Sequence, residues 1–320
     1  MTITVAICTW NRVGLLARTL EEFAKIRARA GIVWEVLVVD NGSTDGTSAF
    51  LRSFQPTGYR LRSVTEAQLG LSAARNRALI ESQTEIIFYT DDDVLVDPDL
   101  LTALVDAAER HPRGSAFGGV IDPWFPVEPD PILMAAFPAL RRGFCGVDLS
   151  LGEGALPEGR HVIGANMGYR RSHIDGLRFR EDLGPKGLDT IGGDEMVFQD
   201  QIRARGGAIV WVPSMRLRHY VDPSRMTLSY LLRFAEDVGR KEIRLHGVPV
   251  GARVAGVPRW LLGNAAKEHA RALLSRVRVD RTQALVHGRR AAEFGGMIKE
   301  CRGRYLRDRK APAVSAAATS

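Results

Sequence analysis

The stretch that decides the fold spans residues 35–47 and reads EVLVVDNGSTDGT. Its residues 36–39 form a short apolar run of mostly β-branched side chains, which is typical of a buried strand. Polar residues follow at once, and the Asn-Gly and Asp-Gly pairs among them are strong turn formers. We therefore predict a buried strand that ends at Asp40 and leads into a polar turn.

The same order of strand, polar turn and helix occurs on both sides of this stretch. Predicted strands are Ile3–Cys8, Glu35–Asp40, Glu85–Thr90, Val162–Tyr169 and Ala208–Val212, and predicted helices are Val13–Ile26, Ser72–Ser82 and Asp97–Arg110. Such alternation indicates an α/β fold with a mixed, mostly parallel sheet flanked by helices. Ligands of these sheets bind beyond the carboxyl ends of the strands. From Thr227 onward the apolar spacing becomes helical.

We predict three parts in the chain. They are a catalytic domain over residues 1–225, with halves 1–120 and 121–225, a basic helical extension over 226–310 and a disordered tail over 311–320. The second half opens with a segment from Ile121 to Gly159 that is rich in proline and lacks periodicity. A long irregular segment inside a domain is usually a functional loop.

The composition is that of an ordinary globular protein. The chain has 320 residues, of which 45% are hydrophobic and 25% are charged. No stretch approaches the roughly 18 apolar residues of a spanning helix. The three cysteines are far apart and form no CxxC pair, so we expect neither a disulfide framework nor a thiolate zinc site. The N-terminus has no basic region before an apolar one, so we expect no signal peptide and a cytoplasmic location.

Positive charge is concentrated in the last third of the chain. Residues 216–320 contain 22 Lys and Arg against 9 Asp and Glu, whereas residues 1–215 contain 22 against 28. No basic motif with interleaved aromatic residues occurs, so we expect no nucleic-acid partner. Residues 257–277 combine an apolar stripe with basic side chains. Two interpretations are open: the stripe packs on the catalytic core, or the helix lies on an anionic membrane.

Three consecutive aspartates, Asp91, Asp92 and Asp93, follow the predicted strand that ends at Thr90. Their mutual repulsion is costly unless a partner compensates it, and oxygen ligands of this kind suit Mg²⁺ or Mn²⁺. The alternative is an acidic turn that caps the following helix. Asp97 alone would meet that need, which leaves the three aspartates unexplained.

A second acidic pair, Asp194 and Glu195, begins a predicted helix that ends near Gly206. Acidic residues in a first turn are favoured by the helix dipole alone, but such a pair is also suited to act as a general base. His219 follows the strand that begins at Ala208. A single histidine is more often structural, although imidazole can complete an aspartate metal site.

In their order along the chain, these motifs resemble glycosyltransferase family 2, the inverting nucleotide-sugar transferases with the GT-A fold. The resemblance covers about residues 3–245. It rests on VAICTWNR at 5–12, VVDNGSTDGT at 38–47, GLSAARNRA at 70–78, DDD at 91–93, GANM at 164–167, GGDE at 192–195 and His219. A Rossmann dehydrogenase is excluded, because GxGxxG does not follow the first strand, and the absence of Walker A, HExxH and GxSxG disfavours P-loop NTPases, zincins and serine hydrolases.

The resemblance implies a role for each matching residue. Nucleotide-sugar contacts are expected from Thr9, Asn11, Arg12, Asp40, Asn41, Ser43 and Arg75, with Asp91 or Asp92 on the ribose. Asp93 and His219 are expected to bind a divalent cation, Mn²⁺ or Mg²⁺. Asn166 and Trp124 are expected on the acceptor side. The family has Glu-Asp where this chain has Asp194-Glu195, so Glu195 is the expected base and Asp194 is its alternative.

The implied activity is the transfer of a sugar from a nucleoside-diphosphate sugar to an acceptor hydroxyl or amine. The acceptor is a cell-envelope polysaccharide, a lipid-linked glycan or a secondary metabolite. The other interpretation is a degenerate protein of the same fold that only binds nucleotide-sugar. The complete acidic triplet and the Asp194-Glu195 pair disfavour that interpretation.

Overall fold

The structure is a computed structural model that describes residues 1–184 and 192–310. The chain divides into two compact units. The first contains Met1–Val127 and Phe144–Asp222, and the second contains Glu128–Gly143 and Pro223–Ser320. This division differs from the predicted one, because residues 128–143 group with the C-terminal helices instead of the predicted catalytic domain. The predicted tail, 311–320, lies outside the described residues.

The described part of the first unit contains one nine-stranded mixed sheet. Its strands are β1 (Thr2–Thr9), β2 (Val33–Asp40), β3 (Arg60–Thr65), β4 (Ile86–Thr90), β5 (Val94–Val96), β6 (Gly114–Trp124), β7 (Gly154–Ala155), β8 (Met167–Arg170) and β9 (Ala208–Tyr220). The order across the sheet is β3-β2-β1-β4-β8-β6-β9-β5, and β7 pairs with β9. The predicted α/β class is confirmed.

Both units contain helices, and the second also contains a small β-hairpin. The helices are α1 (Val13–Phe23), α2 (Thr47–Ser53), α3 (Leu71–Glu81), α4 (Leu100–Arg110), α5 (Pro131–Ala135), α6 (Phe137–Leu140), α7 (Asp194–Ala204), α8 (Leu228–His246), α9 (Arg259–Val277) and α10 (Arg281–Lys310). The hairpin consists of β10 (Arg253–Val254) and β11 (Val257–Pro258). None of the described helices is both long enough and apolar enough to span a bilayer.

Parallel pairing brings the polar strand ends to one edge of the sheet. In the register of β1 with β2, Thr9 lies opposite Asp40, and in the register of β1 with β4, Ile7 lies opposite Thr90. These three strands are buried along most of their length, which fits their nearly continuous apolar sequences. The residues that follow Thr9, Asp40 and Thr90 therefore emerge side by side.

Several predicted elements have different bounds in the structure. Only the last part of the predicted strand 162–169 is a strand, because Val162 donates its N–H to the side chain of Gln199 instead of a neighbouring strand. The helix predicted from Asp97 begins at Leu100, since the Asp97 carboxylate accepts the N–H of Asp99 in a turn. The strand predicted over 208–212 continues to residue 220 as β9.

A close approach of backbones joins β6 to β9 and sets where the second half of β9 runs. The register between them shifts between Gly118 and Val120. A Cβ atom on Gly119 would overlap the carbonyl oxygens of Met215 and Val212. Buried Asn166 donates from Nδ2 to the carbonyl oxygens of Val120 and Met215, at 3.1 and 2.9 Å. These contacts fix the strand segment that ends at Tyr220.

We predict that Gly119→Ala destabilises the protein by about 3 kcal/mol, because the added methyl group meets backbone that cannot move without breaking the sheet. Denaturant unfolding measures the change. Gly152→Ala is the control, because nothing lies within 4 Å of a Cβ at Gly152. Equal stability of the two variants would show that the β6–β9 junction is not tightly packed.

Candidate active site

The loops after β1 and β2 are joined by hydrogen bonds between side chains and backbone. Asn11 donates its N–H to Ser43 Oγ at 2.9 Å and accepts the N–H of Thr44 at Oδ1 at 2.6 Å. Asp45 accepts the N–H of Val13, the first residue of α1, at 3.0 Å. Asn11 and Ser43, which were predicted to contact nucleotide, therefore also hold these two loops in a fixed relation.

Asp40 and Asn41 are buried and shape the same edge. Asp40 accepts the backbone N–H of Ser43 at 3.0 Å. Asn41 donates to the carbonyl oxygen of Gln68 at 2.7 Å and accepts the N–H of Gly70 at 2.8 Å. The amide of Asn41 thus orders the segment that leads into α3.

The three side chains of the acidic triplet point to different partners. Asp92 points inward, where it accepts Thr9 Oγ1 and Arg12 Nη1, both at 2.7 Å. Burial raises the pKa of Asp92 to about 7 despite Arg12, and the charges of Asp93 and Asp91 add to the rise. Asp92 is 3% exposed, and its predicted contact with ribose stays a prediction.

Asp91 and Asp93 converge on His219. Antiparallel pairing of β5 with β9 sets Val94 opposite His219. The Nε2 atom of His219 lies 3.1 Å from Asp91 Oδ2 and 3.3 Å from Asp93 Oδ1. Its Nδ1 atom lies 2.8 Å from the carbonyl oxygen of Tyr220. A proton held at Nδ1 leaves Nε2 available as a ligand.

This group of three has the chemistry of a metal site. One ligand atom from each of Asp91, Asp93 and His219 lies within 4.8 Å of the other two. The Oδ1 atom of Asp93 is buried and makes no hydrogen bond within the described part of the chain. Two carboxylates and one imidazole form a ligand set that suits Mn²⁺ or Mg²⁺. The structure thus places Asp91, predicted on the ribose, with the candidate metal ligands.

The charges in this group balance one another within the protein. Burial disfavours imidazolium, but the charges of Asp93 and Asp91 and contact with Cys145 outweigh it and raise the pKa of His219 well above its ordinary value. Arg12 donates from Nη2 to Asp93 at 2.6 Å. A divalent cation that binds here would replace the proton on His219 Nε2.

The second acidic pair lies where α7 begins and is organised by α3. Asp194 is 0% exposed and accepts Arg75 Nη1 at 2.7 Å and Ser72 Oγ at 3.0 Å. Burial opposes its charge, but Arg75 outweighs that effect and lowers the pKa of Asp194 below its ordinary value. Glu195 lies 3.9 Å from Arg75, and its side chain keeps 14% of its exposure. Arg75, predicted to hold nucleotide, forms its ion pair with Asp194.

The two residues predicted on the acceptor side have different surroundings. Trp124 is partly exposed and lies one residue beyond Pro123, which pairs with His219. The guanidinium carbon of Arg18 lies 3.7 Å from the centre of its ring. Asn166 is fully buried at the β6–β9 junction. Its amide joins the two strands, and its predicted place beside the acceptor stays a prediction.

Sequence reasoning missed several side chains that shape the site. Thr19 Oγ1 donates to the carbonyl oxygen of Asp92 at 2.9 Å and accepts the N–H of Val94 at 3.1 Å. Ser72 bonds Asp194, and Cys145 contacts His219. A threonine or serine inside a helix carries no sequence signal of such a contact. Only the paired strands and helices bring these residues to the acidic groups.

Comparison with known proteins agrees with this geometry. Residues 4–127 match the model of glycosyl transferase family 2. This match, together with the relatives and the solved structures below, supports a family 2 glycosyltransferase. The predicted GT-A fold is confirmed, with a mixed, mostly parallel sheet and a C-terminal helical region.

Individual relatives of this glycosyltransferase are distant. It is 23% identical over 232 residues to the succinoglycan biosynthesis protein ExoM of Rhizobium meliloti, covering 72% of this chain and 71% of the relative. It is 24% identical over 238 residues to the glucosyl-dolichyl phosphate glucuronosyltransferase of Haloferax volcanii, covering 72% and 73%. The mannosyltransferase PcManGT of Pyrobaculum calidifontis, solved with GDP-Man and Mn²⁺, has a TM-score of 0.58 at 20% identity, covering 92% of this chain and 86% of that one.

Proposed function

We propose that this glycosyltransferase moves a sugar from a nucleoside-diphosphate sugar to an acceptor hydroxyl by a metal-assisted single displacement that inverts the anomeric centre. The observation that carries the proposal is the presence of two separate acidic groups in the first unit. Asp91, Asp93 and His219 can hold a cation, whereas Asp194 and Glu195 are organised around Arg75. A metal-assisted transfer needs these two functions, one at the leaving group and one at the nucleophile.

Asp91, Asp93 and His219 would hold the cation, Mn²⁺ or Mg²⁺, and the joined loops after β1 and β2 would receive the nucleotide. A divalent cation at this position supplies Lewis-acid stabilisation of the negative charge that develops on the leaving diphosphate. Arg12 fixes the positions of two carboxylates of the triplet through its ion pairs with Asp92 and Asp93. The complex of PcManGT with GDP-Man and Mn²⁺ supports this assignment of donor and cation.

Glu195 is the proposed general base. A sugar hydroxyl is a poor nucleophile, so a carboxylate must accept its proton as it attacks. Asp194 is poorly suited to this, because it is fully buried and its charge is held by Arg75 and Ser72. Glu195 is the member of the pair that keeps exposure. Asp194 is then a positioning residue that holds Arg75 and the start of α7.

The proposed acceptor is a polysaccharide or a lipid-linked glycan. The names of two relatives support this class: one acts in succinoglycan biosynthesis, and the other acts on glucosyl-dolichyl phosphate. A secondary metabolite is the second candidate acceptor. A degenerate protein that only binds nucleotide-sugar is the other candidate function, and the test below separates it from an enzyme.

We predict that one of UDP, GDP, CDP and dTDP raises the melting temperature only when Mn²⁺ is present. A ligand at about a hundred times its Kd stabilises by about 2.7 kcal/mol, which is a rise of roughly 4 °C for a chain of this size. Thermal-shift measurement with each diphosphate, with and without Mn²⁺, gives the result. Slow hydrolysis of the matching nucleotide-sugar marks an enzyme, whereas binding without hydrolysis marks a degenerate protein. No shift with any diphosphate would contradict the donor site.

We predict that Glu195→Gln lowers the rate of donor hydrolysis by about 10²–10⁴-fold, because the amide cannot accept a proton. Its melting temperature and diphosphate affinity should stay near those of the wild type. Asp194→Asn should instead destabilise the fold by about 3 kcal/mol, since it leaves buried Arg75 unpaired. Glu21→Gln, at an exposed position on α1, is the control.

A different result from these variants would show that Asp194, and not Glu195, is the general base. Loss of hydrolysis in Asp194→Asn at unchanged stability, together with an active Glu195→Gln, would make Asp194 the base.

A further inference from the structure

Helix α9 presents an apolar face away from the helices that it packs against. Three of its large aliphatic side chains, Leu273, Leu274 and Val277, are 61%, 55% and 74% exposed. Leu262 and Trp260 are also exposed at its first turn. At 100° per residue, Leu262, Leu273, Leu274 and Val277 share one side of the helix. This apolar side, which we call the outer face of α9, runs from Leu262 to Val277 over about four turns.

The opposite side of α9 fixes how the helix is rotated within the second unit. Leu261, Ala265 and Ala272 are buried. Buried Glu268 accepts His287 Nδ1 of α10 at 2.7 Å and Arg271 Nη1 at 2.6 Å. A turn of the helix would break the contact of buried Glu268 with His287 of α10, which opposes a rotation that makes the outer face the packed face. The interpretation that the whole apolar stripe packs on the protein core is therefore wrong for Leu273 and Leu274.

The exposed charged side chains of α9 itself are all basic, and exposed Asp280 follows the helix. The exposed basic residues along and just after the helix are Arg259, Lys267, Arg271, Arg276 and Arg278. The sole acidic residue in the sequence of α9, Glu268, lies on the buried side. Lys267 and Arg278 lie on one border of the apolar face and Arg276 on the other. An apolar band between two cationic borders is the pattern of a helix that lies in a membrane interface.

We propose that the outer face of α9 docks this glycosyltransferase on an anionic membrane surface. The face would insert Leu262, Leu273, Leu274 and Val277 between lipid chains, while the basic side chains meet the headgroups. The basic residues favour a membrane over a second copy of the chain as the partner of this face. In a symmetric dimer, the cationic borders of the two helices would lie against each other and repel. Trp260, at the start of the helix, has the amphipathic ring that membrane interfaces favour.

Membrane docking does not depend on the transfer chemistry proposed above, so each can fail without the other. Binding to vesicles is measured without donor or acceptor. It would also place the enzyme at the surface where a lipid-linked acceptor is found.

The test is sedimentation of the full chain with vesicles of phosphatidylcholine alone or mixed with phosphatidylglycerol. We expect binding to the mixed vesicles, weaker binding at high salt and little binding to phosphatidylcholine alone. The double variant Leu273→Ser/Leu274→Ser should reduce partitioning about tenfold or more, because two leucines no longer enter the apolar layer. Both positions are exposed, so the fold and the melting temperature should be unaffected.

The matched control is Val33→Ser/Ile80→Ser, which removes two exposed aliphatic side chains from the first unit. It should bind vesicles like the wild type. Absence of binding to mixed vesicles, or equal binding by both double variants, would overturn the proposal. So would a dimer, detected by light scattering without lipid, that the Leu273→Ser/Leu274→Ser variant abolishes, because the occupant would then be a second copy.

Discussion

The site depends on one buried electrostatic arrangement, the contact of the Arg12 guanidinium with Asp92 and Asp93. Three adjacent carboxylates at the end of a buried strand repel one another, and burial makes each charge costly. Arg12 bonds two of them, at 2.7 and 2.6 Å, and His219 contacts Asp91 and Asp93 from the other side. This balance keeps the carboxylates in place and leaves one Asp93 oxygen without a hydrogen bond in the described structure.

The acidic residues of the site fall into two kinds, those whose bonds fix their neighbours and those that we propose to act on the cation or the substrate. Asp92 and Asp194 are buried and bonded to Arg12 and Arg75, respectively, and these bonds fix their neighbours. The residues next to them in sequence, Asp93 and Glu195, are then held in defined positions by short chain segments. A buried pair of this kind is a costly way to gain stability, but removal of one partner is strongly destabilising. Each arginine therefore fixes the position of a group that we propose to act on substrate.

The sheet and the grouping of motifs could be predicted from the sequence because they follow from local patterns. The apolar runs before Asp40 and Thr90 define parallel strands, and parallel strands deliver their ends to one edge. The direction in which each side chain points could not be predicted in the same way. Asp91 or Asp92 was expected on the ribose, but local sequence does not specify that Asp91 contacts His219 while Asp92 contacts Arg12.

Other parts of the site depend on contacts between residues far apart in the sequence. Asn166 resembles an acceptor-side residue by its motif, yet the shift of register between β6 and β9 requires its amide inside the sheet. Arg75 lies 119 positions from the carboxylate that it pairs with. Local sequence carries no record of such pairings, so only the tertiary structure reveals them.

The most direct test of the account is a titration of Mn²⁺ into the protein, with free Mn²⁺ followed by electron paramagnetic resonance. The wild type should bind one Mn²⁺ per chain, more tightly with the matching diphosphate present. His219→Gln should weaken Mn²⁺ binding by about tenfold to a hundredfold or more, because it removes the imidazole ligand. The control His269→Gln, on α9, should bind like the wild type. Equal affinity of His219→Gln and the wild type would contradict a metal site built from Asp91, Asp93 and His219.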